Sequence, residues 1–571
     1  MPTSAVRVPA CDSCALSARV PDQACQISVL RPELTSWPCT ADNAINGIPA
    51  CADDMVLNKY MRDEWGFSGW VISDANAVIK VFMDTDGGHM YAPNASAAAA
   101  TAMKGGCDIA FGEGFGDSLS EAVADGQLPH PTLLVAARRA LGVRMRSGDF
   151  DPPSVVPWAA NADPAVVDGL AHHQLAREVA AASYVLLKHT RYGALALPLY
   201  DKTAMSIAVI GPAADDALAL INRYTGSPKH VVTMLEGIKT RAEQGEANVT
   251  VDHDSGMGAN ASSAVALCKR STVAVVVLTA TPEGESKDRT TLALPTEQAS
   301  LLRALSQTGT PLVVVVVSGG PVDVEMAETD PHVIAIIQAG QGGMEGGSAL
   351  ARLLFGDQDF SGALATAVYR ESWSGASDFM QMGWRPGPNA ISSGGPAPAP
   401  PPSPSLGRGH RYLNASSSKQ HVLYPFGYGL SYTGWNVRLT GLSEPTISAA
   451  ELKQGKVISV GVSAQNALNT RAGATDKTVL VYVRRRDDPR ADAPVRWLLG
   501  FAKLRAVAPG TSATAHVDIT SERMARWTAA AAGGGTGGFA QQPGSYEVWV
   551  ESARGGGQMV PSQPMRFTIT K

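Results

Sequence analysis

Apolar residues change their spacing twice along this chain, and each change predicts a different architecture. Between Cys39 and Asp151, short apolar runs at 70–74 and 107–111 alternate with helical stretches around Asp53 to Glu64, Ala97 to Lys104, Ser118 to Asp125 and Pro131 to Ser147. After a helix predicted over His173 to Leu187, strands are expected at 206–210, Val273 to Thr279, Leu312 to Val317 and Val333 to Gln338. Those runs are apolar at both parities. They predict strands covered on both faces, hence a parallel-sheet α/β sandwich. Beyond residue 434 the period falls to two, with runs at 435–442, 457–464, 478–483, 513–519, 545–551 and 565–570. Six or seven short strands of that kind predict an antiparallel β-sandwich.

Breaks in the pattern set the expected boundaries. Residues 1–38 carry neither period and stay unassigned, and 39–155 forms the first domain. Asp151 to Pro157 reads as the segment leaving it. The α/β domain follows over 166–375, a Pro/Ser-rich linker with PAPAPPPSPS over 376–423, and the all-β domain over 424–571, with Ala529 to Gly538 a low-complexity loop inside it. The βα alternation of the first domain is that of the C-terminal part of a (β/α)8 TIM barrel. A whole barrel takes about 250 residues, so the roughly 110 between Cys39 and Asp151 hold about three of the eight units.

With 571 residues, two to four domains are expected, and 45% hydrophobic residues suffice for their cores. A net charge of −5 with 17% charged residues supplies no basic stripe, so nucleic acid is not an expected partner. No apolar run reaches the length of a membrane span, and the first twenty residues lack the apolar stretch of a signal peptide. Four N-x-S/T sequons stand at Asn94, Asn248, Asn260 and Asn414. Cys11 and Cys14 form a lone C-x-x-C without a second pair, so neither metal nor cofactor is expected.

The candidate chemistry centres on Gly66 to Ala77, GFSGWVISDANA. Asp74 follows a short apolar strand at its C-terminal end, where parallel α/β strands present catalytic groups; capping of the next segment is the structural alternative. A second acidic stretch, Thr281-Pro-Glu-Gly-Glu-Ser-Lys-Asp-Arg289, begins just past the strand at 273–279. A solvated loop is its structural alternative.

Asn43-Ala-Ile-Asn-Gly-Ile-Pro-Ala-Cys-Ala52 and Arg62-Asp-Glu-Trp-Gly-Phe-Ser-Gly-Trp-Val-Ile-Ser-Asp74 resemble the N-x-V-N-G-x-P-x-C-A and R-x-E-W-G-F-x-G-x-V-x-S-D segments of glycoside hydrolase family 3. Further matches are Arg408-Gly-His-Arg-Tyr412 and Tyr424 to Tyr432. The resemblance implies Asp74 as nucleophile and Glu285 as acid/base, with Glu283 as the alternative and Asp288 with Arg289 as an ion pair. No role falls to His172 or His173, which start a helix as caps or solvent-facing groups. It further implies a fibronectin type III-like last domain, a disulfide between Cys39 and Cys51, a secreted protein and a carbohydrate substrate. The expected activity is that of a retaining exo-β-glycosidase releasing xylose or arabinose. A β-glucosidase and a catalytically inactive truncated homologue are the alternatives, the latter because the family's earlier barrel segments have no counterpart before Cys39 and Asp42 replaces its usual Tyr. Oligomeric state is left open.

Overall fold

The computed structural model of the chain describes residues 39–40, 42–45, 47–84, 87–159, 166–199, 204–221, 224–245, 248–258, 261–280, 289–377, 386–387, 405–413, 415–467, 473–490, 493–528 and 538–571. The unassigned N-terminal segment and most of the Pro/Ser-rich stretch lie outside these residues. Two compact units result, the first reaching Val166 and the second made of Val167–Ala390 and Pro401–Lys571. No described helix is long and apolar enough to cross a membrane.

In the first unit three strands, Cys39–Thr40, Ile72–Ala75 and Ile109–Phe111, form a parallel sheet with Ile72–Ala75 in the middle. A wide, π-type helix Met55–Glu64 precedes the central strand, and helices Ala95–Gly105, Gly116–Ala124 and His130–Arg146 complete the layer. The alanine-rich helix Ala95–Gly105 buries Ala98, Ala99, Ala100 and Ala102 against Val71, Val78 and Cys51. Small side chains there let the backbones approach. Asn94 caps this helix, accepting from the Ala97 N–H at 2.8 Å.

Cys51 is a free, buried thiol that donates to the Ala77 carbonyl at 3.5 Å, so the expected bridge to Cys39 is not formed. Burial pushes its pKa up to about 11, which keeps it protonated and unreactive.

The second unit begins with helix Leu170–Ser183, which ends earlier than its sequence suggests. Val185–His189 is a strand instead, because Tyr184, Val185, Leu186 and Leu187 are buried in succession rather than on one helical stripe. It pairs antiparallel with Val333–Gln338, so the sheet is mixed and not wholly parallel. The order from that edge is Val185–His189, Val333–Gln338, Leu312–Val317, Val273–Thr279, Met205–Ile210 and Val249–Asp254. Val249–Asp254 is a strand that the sequence reading missed, since its half-exposed edge position allows VTVDHD. Along Val273–Thr279, residues 273, 275 and 277 meet Met234, Ile238 and Leu350 on one face. Residues 274, 276 and 278 meet Leu267, Leu301 and Leu305 on the other. Every residue of that strand is buried, which explains the unbroken apolar run.

His172 is exposed as expected, but His173 is only partly so and is ion-paired. Its Nδ1 lies 2.8 Å from Glu345 and its Nε2 3.0 Å from Asp168, while Arg177 reaches the second Glu345 oxygen at 2.9 Å. These contacts tie helix Leu170–Ser183 to the start of helix Gly346–Leu354.

The all-β part packs a three-stranded sheet, Trp435–Leu442, Ile458–Asn466 and Ser512–Ile519, with a larger one containing Thr446–Ser448, Met565–Thr570, Gly544–Arg554, Thr475–Arg485 and Trp497–Val507. The strand Trp497–Val507 has no clean alternation and was not expected; its LLGFAK stretch has both faces partly covered. Strand Val422–Tyr424 pairs with Val368–Tyr369, so the chain beyond the Pro/Ser-rich stretch returns to the α/β core.

Two outcomes follow from this packing. Gly347 sits where a Cβ would stand 1.9 Å from the Thr233 carbonyl oxygen, and Gly237 faces Gly347 across the same helix pair. Gly347→Ala gains helix propensity of about 1 kcal/mol, yet the clash is with backbone and outweighs it. A net loss of about 1–3 kcal/mol is expected in chemical denaturation. Burial raises the Glu345 pKa, but bonds from Arg177, His173 and Ser348 more than offset this and hold it below its ordinary value. Stability from this depressed carboxyl is full above that ordinary value and is lost as pH falls through the folded one. Glu345→Gln should therefore lower the melting temperature near neutral pH and flatten its decline in acid.

Candidate active site

Asp74 lies at the C-terminal end of the central strand of the first sheet, between Thr40, paired with Ser73, and Phe111, paired with Ala75. The local conformation is fixed from both sides. The Ser73 hydroxyl donates to the Asp74 carbonyl at 2.8 Å and accepts the Phe111 N–H at 3.0 Å. One carboxylate oxygen of Asp74 accepts the Ala75 N–H at 2.7 Å. The other has no hydrogen-bond partner among the described residues, and the side chain is half-buried.

Directly after it the chain turns through Asn76 in the left-handed region, φ 59°. Asn76 donates its N–H to the Phe111 carbonyl at 2.8 Å and accepts the Glu113 N–H on Oδ1 at 2.9 Å. A Cβ at Gly112, φ 88°, would stand 2.3 Å from that Oδ1, so glycine is required for the two loops to lock. Asn76 was not singled out by sequence reasoning, though an Asn two residues past a strand-end acid is a signal for a left-handed turn.

The strand itself is set by Asp108. Its carboxylate accepts from Arg62 Nη2 at 2.6 Å, from the Val71 N–H at 2.8 Å and from Arg139 Nη1 at 3.1 Å. Arg62 also donates to the Gly69 carbonyl at 2.9 Å and the Gly106 carbonyl at 3.2 Å. Burial lowers the Arg62 pKa, and Arg139 adds to this while Asp108 opposes it. At the same end of the sheet, two residues past Thr40, Asp42 pairs with Lys80 at 2.6 Å, and His89 Nε2 lies 2.9 Å from the Asp42 carbonyl. The residue that departs from the family pattern is thus held by Lys80 at its carboxylate and by His89 at its carbonyl.

Residues 281–288, with Glu283, Glu285 and Asp288, lie outside the described residues, but both ends of the segment are visible. Strand Val273–Thr279 ends in a reciprocal pair: the Gln298 amide accepts the Thr279 N–H and donates to its carbonyl, both at 2.9 Å. Past the segment, Arg289 donates to the Pro321 carbonyl at 2.8 Å. Leu292 is held by Glu371 at 2.7 Å and returns a carbonyl to the Asp323 N–H at 2.7 Å. Sequence reasoning did not single out Gln298; a lone Gln at the start of a helix carries no signal of this role.

Removing Asp108 strands a buried guanidinium. Asp108→Ala should destabilise the first unit by about 3–5 kcal/mol. Arg62→Met with Asp108→Asn, which removes both charges together, should cost less than the sum of the single changes in a double-mutant cycle of denaturation midpoints.

Residues 39–143 match the glycosyl hydrolase family 3 N-terminal domain, residues 184–432 the glycosyl hydrolase family 3 C-terminal domain, and residues 477–553 the fibronectin type III-like domain. A probable exo-1,4-β-xylosidase of Aspergillus terreus is 30% identical over 522 residues, 89% of this chain and 62% of the relative. A β-D-xylosidase of Arabidopsis thaliana is 31% identical, covering 88% of this chain and 63% of its own length. Among solved structures, an exo-β-xylosidase bound to a xylobiose aziridine activity-based probe has a TM-score of 0.74 at 25% identity, covering 94% of this chain and 67% of that one. A β-glucosidase of Erythrobacter marinus has a TM-score of 0.72 at 26% identity over 93% and 67%. The chain thus spans somewhat less than two thirds of the curated relatives it matches. With both catalytic-domain models and the fibronectin-like model matched in their order along the sequence, the chain belongs to glycoside hydrolase family 3.

Proposed function

We propose that the chain acts as a retaining exo-β-glycosidase that releases terminal β-linked xylose or arabinose from oligosaccharides. The observation that carries this reading is Asp74, held at the carboxyl end of a parallel strand with one carboxylate oxygen unpartnered among the described residues. A nucleophile needs that oxygen free to meet an anomeric carbon, while the second is oriented by the Ala75 N–H. In this reading the three parallel strands are a section of a (β/α)8 barrel. Glu285 is the acid/base, with Glu283 as its alternative, in the segment that follows strand Val273–Thr279.

In the first step Asp74 attacks the anomeric carbon and the glycosidic bond breaks, the acid protonating the departing oxygen. In the second, water attacks the glycosyl ester and the same residue, now a base, takes its proton. Each carboxyl then returns to its starting state. The xylose preference rests on the similarity to exo-β-xylosidases; a preference for glucose is the second reading, favoured by the similarity to the bacterial β-glucosidase. Export from the cell accords with the exposed sequons at Asn94 and Asn248.

Incubation with a 2-deoxy-2-fluoro-β-xyloside should leave a covalent adduct on the peptide containing Asp74, read by mass spectrometry, and Asp74→Asn should abolish it. An adduct elsewhere overturns the nucleophile assignment. Glu285→Gln should slow hydrolysis of an unactivated disaccharide by about 10²–10⁴-fold. Loss on Glu283→Gln instead transfers the acid role. Faster turnover of an aryl β-glucoside than of the matching xyloside replaces the first reading by the second.

A further inference from the structure

Asp74 is fixed by bonds of two kinds, and only one kind ties it to the rest of the molecule. The bond from the Ser73 hydroxyl to its carbonyl and the bond its carboxylate accepts from the Ala75 N–H both lie within residues 73–75. Such bonds turn with the chain, so they set no direction for the carboxylate relative to the neighbouring strand. Direction has to come from residues that reach across the sheet. Ser73 reaches across once, accepting the Phe111 N–H. Asn76 reaches across twice, with its N–H on the Phe111 carbonyl at 2.8 Å and its Oδ1 on the Glu113 N–H at 2.9 Å.

The turn that Asn76 grips is itself anchored. Phe115 is buried in the core of the first unit. Gly114, φ 121°, lies so close to helix Ala77–Lys80 that a Cβ there would stand 2.8 Å from the Ile79 nitrogen and the Val78 Cβ. The residue type at 76 follows from the same geometry. Its φ of 59° belongs to the left-handed region, which glycine, asparagine and aspartate enter most readily. Glycine has no acceptor for the Glu113 N–H, and aspartate would put a second negative charge two residues from Asp74. Asparagine supplies the turn and the acceptor without that charge.

We propose that Asn76 is a positioning residue for the nucleophile: by gripping the Glu113 N–H it holds the Asp74 carboxylate in line with the anomeric carbon of the bound sugar. The inference deepens the glycosidase reading and rests on Asp74 as its nucleophile. The Asn76–Glu113 bond lies at the surface, so water can take over the Glu113 N–H when it is lost. Its loss should therefore disturb direction far more than folding.

The test is the kinetics of covalent labelling of the full chain by a 2-deoxy-2-fluoro-β-xyloside, with the binding constant and the maximal labelling rate measured separately. Asn76→Gly keeps the left-handed turn and removes only the acceptor. It should slow labelling at saturation by about 10²-fold, the scale of a misplacement of about 1 Å, with binding and melting temperature close to native. Gly112→Ala, whose Cβ would stand 2.3 Å from Asn76 Oδ1, disturbs the same bond from the other side. The two changes together should slow labelling less than the product of their separate effects. Labelling of Asn76→Gly at the native rate, or weaker binding with that rate unchanged, overturns the positioning role alone. A native chain that is not labelled, or is labelled elsewhere than Asp74, overturns the nucleophile assignment and this inference with it.

Discussion

One buried carboxylate, Asp108, holds the first unit in the form its chemistry requires. It stands just before strand Ile109–Phe111, yet two of its three bonds go to the region before strand Ile72–Ala75. Arg62 carries the same tie back to the loops at Gly69 and Gly106. The two strands therefore cannot slide past each other without stranding charges away from water, which costs several kcal/mol per ion. Register at their far ends, where Asp74 sits opposite the Gly112 turn, is fixed by this constraint at the near ends. A small three-stranded sheet has little apolar area with which to set register, so an ion cluster does it.

The second unit uses a different device. Its sheet is set by apolar parity, with alternate residues of strands Met205–Ile210, Val273–Thr279 and Leu312–Val317 committed to opposite cores. Polar bonds enter where the β-sandwich joins. The single Tyr428 O–H lies between the carbonyls of Arg554 at 2.8 Å and Leu187 at 3.1 Å, one in each layer, and Asp359 accepts from Ser431, Tyr432 and Thr433. Burial raises the Tyr428 phenol, so it stays a donor at any pH the protein meets. The Tyr424 to Tyr432 segment is thus the seam between the α/β and all-β parts, and its aromatic and glycine content follows from having to pass between two preformed layers.

The parts of this architecture legible in the sequence are those where one physical term dominates. Runs such as Leu312–Val317 read directly because nothing but burial acts on them, and the serine and acid at 73 and 74 stand out because polar residues end an apolar run. Misreadings arose where two terms compete. Tyr184 to Leu187 continues an apolar helix in one dimension, but its four consecutive buried residues suit a strand. Val249–Asp254 is polar enough to look like a loop and is a strand because it needs only one neighbour. The Asp108 cluster joins residues 31 and 46 positions apart, a separation no local pattern can express. For the same reason the pairing of Cys51 could not be read from spacing. Its thiol is spent on the Ala77 carbonyl, a partner that contains no sulfur.

Positioning an acid on a loop requires that the loop's ends be fixed more firmly than its middle, because only anchored ends limit where a long side chain reaches. Strand Val273–Thr279 is anchored at its end by a side chain imitating backbone. Gln298 presents one donor and one acceptor in the geometry of a neighbouring strand, and so closes the hydrogen bonds of Thr279 where the ladder stops. A buried amide left half-satisfied would cost more than an apolar residue there, and the reciprocal pair avoids that cost at the strand's last residue. At the other end Arg289 donates to the Pro321 carbonyl, Glu371 accepts the Leu292 N–H, and Asp323 accepts the Glu371 N–H. Both anchors act on the backbone.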